Sequence, residues 1–178
     1  VITMRVFAEE KHAGTFETLM TAPVTEANVV LAKYCGALLF FVAMWLPTLL
    51  YIWIMRFFGA ENAPVDIGLV ASSYFGVFLM SAAAIAVRVL ASALARNQIT
   101  AAITAFALLF AGFLAGFAPY LSSSAVLQNV GGYFSAVGHM IDFSRGTIDS
   151  RPVVLYLSTT ALALFIAIGA EAVAGLLL

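Results

Sequence analysis

Charged residues divide this chain into long apolar stretches. Three stretches without charge hold 22, 21 and 19 residues (34–55, 67–87 and 152–170), and they are bounded by Lys33 and Arg56, Asp66 and Arg88, and Arg151 and Glu171. An α-helix needs about 20 apolar residues to cross a hydrocarbon core roughly 30 Å thick. Each stretch therefore predicts one membrane-spanning helix.

A fourth uncharged stretch, between Arg96 and Asp142, is too long for one crossing, since it holds 45 residues (97–141). Its first part, residues 99–121, is continuously apolar, whereas its second part is broken by three serines at 122–124 and by Gly131-Gly132. We therefore predict an all-α polytopic membrane protein. Its four complete spans are expected at residues 31–56, 67–94, 99–121 and 153–177, within a single transmembrane domain, 1–178.

Composition supports a membrane protein and excludes other classes. Hydrophobic residues make up 63% of the chain and charged residues 10%, whereas soluble domains are about 45–50% apolar. The net charge of −1 argues against nucleic acid as a partner, because nucleic acid needs a clustered basic surface. The single cysteine, Cys35, excludes an internal disulfide framework. His12 and His139 are predicted on opposite sides of the membrane, so we expect no metal and no other cofactor in this chain.

Residues 5–28 predict a short amphipathic helix between two helix breaks. Gly14 interrupts any helix that enters from the membrane, and Pro23 ends the next one, because the residue before a proline avoids the α region. Thr15 suits an N-cap, and Glu17 lies in the first turn, where negative charge favours the helix dipole. Thr25 is predicted to cap the following helix. One face of the short helix is apolar and consists of Phe16, Leu19 and Met20.

Such a helix has two interpretations, and the pattern alone leaves both open. An amphipathic helix at a membrane surface can simply anchor a loop. A short rigid helix with a few apolar anchors can also dock in a groove of a partner subunit and couple its movements to the membrane helices.

The same segment carries a motif that resembles a known family. Residues 9–25 read E-E-K-H-A-G-T-F-E-T-L-M-T-A-P-V-T and resemble the signature loop of ABC type-2 (ABC-2) transporter permeases, particularly the gliding-motility-associated subgroup. The matching positions are Glu9, Glu10, Lys11, Gly14, Thr15, Glu17, Leu19, Thr21, Ala22, Pro23, Val24 and Thr25. Residues 93–103 resemble the family's turn between two later spans, and residues 139–151 resemble the segment before its last span. Phe16 and Met20 depart from the family, which more often has aliphatic residues there.

The resemblance implies the membrane-spanning permease subunit of an ATP-driven exporter in a bacterial or archaeal cytoplasmic membrane. The family has six spans, so we expect an incomplete domain, an internal fragment starting at Val1 that lacks the first span and most of the second. The sequence has no G-x-x-x-x-G-K-[ST] motif, so no ATPase site is predicted in this chain, and ATP is expected to be used by a partner subunit. The expected partners are cytoplasmic ABC ATPase subunits, a second permease copy or relative, and membrane lipid.

The resemblance also assigns residues 5–28 as a cytoplasmic coupling segment. Its expected ATPase-coupling residues are Glu9, Glu10, Gly14, Thr15, Phe16, Glu17, Leu19 and Pro23. On this topology, residues 95–98 are also cytoplasmic, whereas residues 59–66 and 122–152 lie outside. The distribution of Lys and Arg, five on the cytoplasmic side and three outside, agrees with the positive-inside rule.

Two alternatives from other classes remain open. An ion-driven secondary transporter or channel needs ionisable groups within its spans, and only Arg88 and Glu171 lie within apolar runs, each near a membrane end. A non-transporting membrane scaffold is the other alternative, although a coupling-type helix would then lack a purpose.

The outer segment, residues 122–152, predicts two short re-entrant helices. Residues 124–130 and 133–145 are each too short to cross the membrane, and we expect them to hinge at Gly131-Gly132. The second helix has an apolar stripe of Phe134, Val137 and Ile141 and a polar stripe of Ser135, His139, Asp142 and Arg145. The polar stripe either faces water, with Asp142 and Arg145 paired, or forms a lid that lines the outer path.

A G-x-x-x-G motif at Gly112 and Gly116 permits close contact between helices. It predicts a packing site, either within the chain or at a dimer seam.

Overall fold

A computed structural model describes residues 25–58, 66–95, 97–117 and 125–176. Within these ranges the chain forms α-helices and no β-strand. The helices are α1 Glu26–Trp45, α2 Leu49–Phe58, α3 Ile67–Leu94, α4 Gln98–Ala115, α5 Ala125–Phe134, α6 Ala136–Ser144 and α7 Ser150–Leu176. Four helical segments are long and apolar enough to cross a membrane: α1 and α2 together, α3, α4 and α7. The predicted all-α class with four spans is confirmed at this level.

Polar side chains determine where three of the spans begin. Thr25 Oγ1 accepts a hydrogen bond from the backbone N–H three residues later at 3.4 Å. Thr25 is therefore the N-cap residue of α1, as predicted. Asp66 caps α3 by accepting from the second N–H of that helix at 2.8 Å. At the start of α4, the Asn97 side chain accepts from Thr100 N, and Thr100 Oγ1 accepts from Asn97 N. This reciprocal capping box satisfies two N–H groups that the helix would otherwise leave without partners.

The first span changes from α-helix to a short 3-10 turn where α1 meets α2. Pro47 has no N–H and its ring clashes with the carbonyl four residues earlier, so the helix gives way to a 3-10 turn over Leu46–Thr48. Thr48 Oγ1 donates to Trp45 O at 2.6 Å and lies 2.7 Å from the hydroxyl of Tyr74 on α3. Because Thr48 has only one hydroxyl proton, Tyr74 is the donor in the second bond. The 3-10 turn is therefore hydrogen-bonded to α3.

Helix α3 is the centre of the bundle, since it packs against α1, α4, α6 and α7. Many of its buried residues are alanines, whose small side chains let a neighbouring helix approach closely. Its most extensive contact is with α7. An apolar core joins α1, α3 and α7, and it consists of Val30, Tyr34, Ile85, Ala86, Val89, Ala93, Ala163 and Ala167.

The surface of the bundle is apolar in a way that suits lipid. Leu39, Phe57 and Phe165 are 69%, 70% and 77% exposed. Soluble monomers rarely expose contiguous apolar patches beyond a few hundred Å², so we expect these side chains to face the hydrocarbon core.

Helix α6 packs against α3 near its start, and the preceding helix α5 contacts α4; we call these two consecutive helices the cap. The sequence predicts a hinge at Gly131-Gly132, and this prediction is wrong: α5 continues through both glycines, and the break lies at Ser135. Ser135 Oγ accepts a hydrogen bond from Gly138 N at 3.2 Å, which starts a new helix. Glycine weakens a helix by about 1 kcal/mol per residue but does not by itself end one.

The end of α6 is formed by a glycine in the left-handed region. Gly146 has a φ of 79°, which a side chain would disfavour. Gly146 N donates to Phe143 O, and Thr147 N donates to Asp142 O, each at 3.0 Å. This is the hydrogen-bond pattern of a Schellman motif, and it turns the chain back toward α7.

Candidate functional site

The cap holds the four residues that the sequence predicts as one polar stripe, but the structure divides them. His139 is only 7% exposed, whereas Asp142 and Arg145 are exposed. Ser135 is half-buried, and its hydroxyl caps α6. In the described part of the chain, the side chains of Asp142 and Arg145 do not form the expected ion pair. Arg145 instead borders a surface depression of about 630 Å³, together with Asp66.

The predicted apolar stripe does not bury itself either. Phe134, Val137 and Ile141 are 43%, 48% and 44% exposed, whereas Phe143 is 1% exposed. An amphipathic helix in water turns its apolar stripe inward. Beside lipid, apolar residues can face outward at no cost, so the side that docks is decided by the fit of individual side chains. Helix α6 docks through Phe143 and His139, which lie one helical turn apart.

Phe143 fastens α6 to α3. Its ring lies over Gly76, where an added Cβ would stand 2.5 Å from the ring. The ring also contacts Phe75 edge-on at 6.2 Å between centroids. Ser72 Oγ donates to Phe143 O at 2.5 Å across 71 residues of sequence. A bulky side chain over a glycine and a buried hydrogen bond together fix the position of this helix.

His139 fastens α6 to α7. Its Nδ1 lies 3.0 Å from the hydroxyl of Tyr156, and the two rings are perpendicular. Burial lowers the pKa of His139 below its ordinary value of 6.5, while the charges of Asp142 and Asp149 act in the opposite direction. The neutral imidazole is therefore the form that suits the docked cap.

The two glycines of the G-x-x-x-G motif have different surroundings. Gly116 lies in the turn that follows Ala115, where α4 ends six residues before position 121, the end that the sequence predicts for this span. A Cβ on Gly116 would meet the backbone of Ser135 at 2.9 Å and of Phe134 at 3.1 Å. A Cβ on Gly112 would meet nothing within 4 Å. Of the two glycines in this motif, only Gly116 is therefore a close-packing position. Its neighbours Phe134 and Ser135 lie at the junction between α5 and α6, which we call the cap junction.

Gly112 instead borders a space of about 350 Å³ between α4 and α7. We call this space the α4–α7 cleft. Helix α3 forms its back wall, and Phe134 and Ala136, on either side of the cap junction, lie across its end. Tyr156, the partner of His139, is one of its few polar lining residues, together with Thr159. The cleft is thus continuous with the cap.

Buried polar residues also occur away from the cap. Glu171 on α7 is 2% exposed, and Ser92 on α3 is 1% exposed. Glu171 takes part in an interaction within the chain. Among residues 25–58, 66–95, 97–117 and 125–176, no group of three His, Cys, Asp or Glu side chains is placed to hold a metal ion.

Several residues of the cap site were not singled out from the sequence. Gly76 and Tyr156 carry a usable signal, since a lone glycine inside a helix often has a packing reason and a buried tyrosine hydroxyl usually has a partner. The sequence carries no such signal for Phe143 and Ser72, because their roles depend on how α6 packs against α3. The eight predicted coupling residues between Glu9 and Pro23 lie outside the described residues.

These features define a polytopic helical membrane protein whose spans surround one central helix and carry a fastened cap at one end. A family model described as "ABC-2 family transporter protein" matches residues 1–112, more than half of the chain. The chain belongs to the ABC-2 transporter family, as its sequence motif predicts. Members of this family are typically the non-catalytic membrane component of a transporter and associate in general with an ABC ATPase. Comparison with curated proteins and with solved structures gives no match.

Proposed function

We propose that this chain is the membrane-spanning permease subunit of an ATP-driven ABC exporter in a bacterial or archaeal cytoplasmic membrane. It works with cytoplasmic ATPase subunits, which use the ATP, and with a second permease copy or relative. The observation that carries the proposal is the family match over residues 1–112, which contains the motif at residues 9–25. The likeness of that motif to the gliding-motility-associated subgroup supports export as the direction.

The coupling step starts at the short helix predicted after Gly14. When the two ATPase subunits close on ATP, they push this helix. Helix α1 begins only a few residues later, capped by Thr25, and its core contacts join it to α3 and α7. Because these three helices share one apolar core, the push moves them together as a rigid body.

The same movement reaches the cap. Phe143 and Ser72 attach α6 to α3, and His139 attaches it to α7, so α6 travels with those spans. We place the outer mouth of the path at the exposed face of α6, where Asp142 and Arg145 are accessible. The lid that the sequence predicts on the polar stripe of α6 would act at this mouth.

The experiment is to place one negative charge on either face of the coupling helix. Leu19→Asp puts a carboxylate among the apolar anchors, because Phe16, Leu19 and Met20 share a face. Thr18→Asp puts the same charge on the opposite face and is the matched control. Wild-type chain and both variants are purified from native membranes at equal abundance, and the copurifying ATPase is quantified.

We expect Leu19→Asp to lower copurification of the ATPase at least fivefold, while Thr18→Asp stays near wild type. Full copurification and full export with Leu19→Asp would show that this helix does not couple the subunits.

A further inference from the structure

The α4–α7 cleft is formed by the arrangement of three spans. Helices α4 and α7 both pack extensively on α3, yet in the described residues they scarcely contact each other. The gap between them therefore opens sideways, toward the membrane. The back of the gap is lined by small residues of α3, Ala83 and Ala84.

The size of the cleft limits what can occupy it. Along α3 its lining runs from Met80 to Val87, which is about 10 Å at 1.5 Å per residue. A 10 Å length of α-helix with side chains occupies on the order of 800–1,100 Å³. A membrane helix, whether from a second copy or from another protein, would therefore cover the opening and place only one face of its side chains in the cleft, whereas a thinner molecule can enter it.

A hydrocarbon chain has the right size and chemistry. An apolar cavity of about 150 Å³ holds one benzene ring, so by the same packing the cleft holds on the order of 14 carbon atoms. Its lining includes Leu109 and Phe113 on one wall and Leu155 on the other. Water gains few hydrogen bonds in such a space, whereas lipid chains are the solvent that surrounds it.

The polar lining residues are confined to one wall of the cleft. Tyr156 and Thr159 lie in the half of α7 that is nearer to the cap, and Tyr156 bonds to His139. Ala84 and Val87, farther along α3 from the cap, are apolar. A molecule with one polar end and one apolar chain would therefore enter with its polar end toward the cap.

From these observations we propose that the α4–α7 cleft is a binding site for one acyl chain of a bilayer phospholipid, with the headgroup on the cap side. The site does not depend on coupling to an ATPase. The site is inferred from the packing of the helices, so the lipid site can be disproved while the proposed export function stands. Equally, the export function can be disproved while the lipid site stands.

Gly112 offers a direct way to test the site. A Cβ added at this position would meet no atom within 4 Å, and Gly112 lines the cleft, so the side chain of Gly112→Leu can extend into the space that the acyl chain would use. Gly36 on α1 is equally open and does not line the cleft, so Gly36→Leu is the matched control. Thr159→Leu fills the cleft from the opposite wall and serves as a second variant if Gly112→Leu does not fold.

The full chain is reconstituted in nanodiscs that contain a phosphatidylcholine with a photoreactive diazirine on one acyl chain. After irradiation, labelled peptides are mapped by mass spectrometry. We expect labelling of the cleft residues to fall at least fivefold in Gly112→Leu and in Thr159→Leu, and to be unchanged in Gly36→Leu. Labelling at Leu39, a lipid-exposed residue of α1, reports general contact with the bilayer.

Three outcomes would overturn the proposal. Cleft labelling that is no stronger than at Leu39 and insensitive to Gly112→Leu would mean general bilayer contact only. Cleft labelling that is absent from the wild-type chain would mean that the cleft is closed to lipid. Efficient disulfide formation between copies that carry Thr159→Cys in a Cys35→Ala background would mean that a second copy covers it.

Discussion

A single methyl group added at Gly76 should loosen the cap. In Gly76→Ala the new Cβ would lie 2.5 Å from the ring of Phe143 and 3.0 Å from its Cβ. The ring has little room to move, because Phe143 is 1% exposed and contacts Phe75. Either α3 or α6 must therefore shift, and overpacking of this kind costs about 1–3 kcal/mol.

A matched glycine isolates the steric contribution. Replacing a helical glycine with alanine also stabilises the helix itself, by up to about 1 kcal/mol. Gly36→Ala has the same intrinsic gain, but nothing lies within 4 Å of its new Cβ. The difference between the two variants should therefore report the clash with Phe143, about 1–3 kcal/mol.

Hydrogen–deuterium exchange of the α6 amides is the suitable assay, since it measures local opening. We expect α6 to exchange roughly 5–150 times faster in Gly76→Ala than in Gly36→Ala, which is the equivalent of that free energy. Replacing the ring with a smaller side chain in Phe143→Leu should relieve part of the clash. The double variant Gly76→Ala/Phe143→Leu should therefore accelerate exchange by less than the combined effects of the two single variants. Equal exchange of α6 in Gly76→Ala and Gly36→Ala would refute the docking geometry.

Two further predictions concern the other contacts of the cap. Because burial lowers the pKa of His139, the docked cap binds fewer protons than the free cap below pH 6.5, so docking should weaken as the pH falls from about 6.5. Exchange of the α6 amides, corrected for the intrinsic pH effect, should accelerate on acidification in the wild-type chain and not in His139→Gln; an equal acceleration in both would exclude His139 as the cause. Gly116→Ala forces a Cβ against the backbone of Ser135, so its Tm in detergent should be roughly 2–12 °C below that of Gly112→Ala, from 1–3 kcal/mol of overpacking. A Tm for Gly112→Ala as low as that for Gly116→Ala would contradict the assignment of Gly116 as the close contact.

The spans and the family could be predicted from the sequence because both depend on neighbouring residues. The thickness of the hydrocarbon core sets the length of an apolar run, so the charges that end each run reveal the four crossings. The N-cap of α1, Thr25, depends only on the next few residues. The family motif is likewise a continuous string, and residues 1–112 match the family model.

The arrangement of the cap could not be predicted in the same way. The break at Ser135 replaces the expected hinge at Gly131-Gly132, because the capping hydrogen bond and the approach of Gly116 select one position among several that are locally acceptable. Similarly, the sequence places Gly112 and Gly116 in one motif, yet only the folded bundle shows that Gly116 is a contact and Gly112 an opening.

For the described residues, the sequence by itself therefore determined how many helices are long and apolar enough to cross the membrane, roughly where they lie in the chain and which family the chain belongs to. Only the tertiary structure decided which face of α6 docks, with Phe143 and His139 inward and the expected apolar stripe outward. The physical reason is the surrounding lipid. In water the pattern of polar and apolar residues separates surface from interior, but beside hydrocarbon an apolar side chain is stable on either side. The docking face then depends on contacts between distant residues, such as the hydrogen bond from Ser72 to the carbonyl of Phe143.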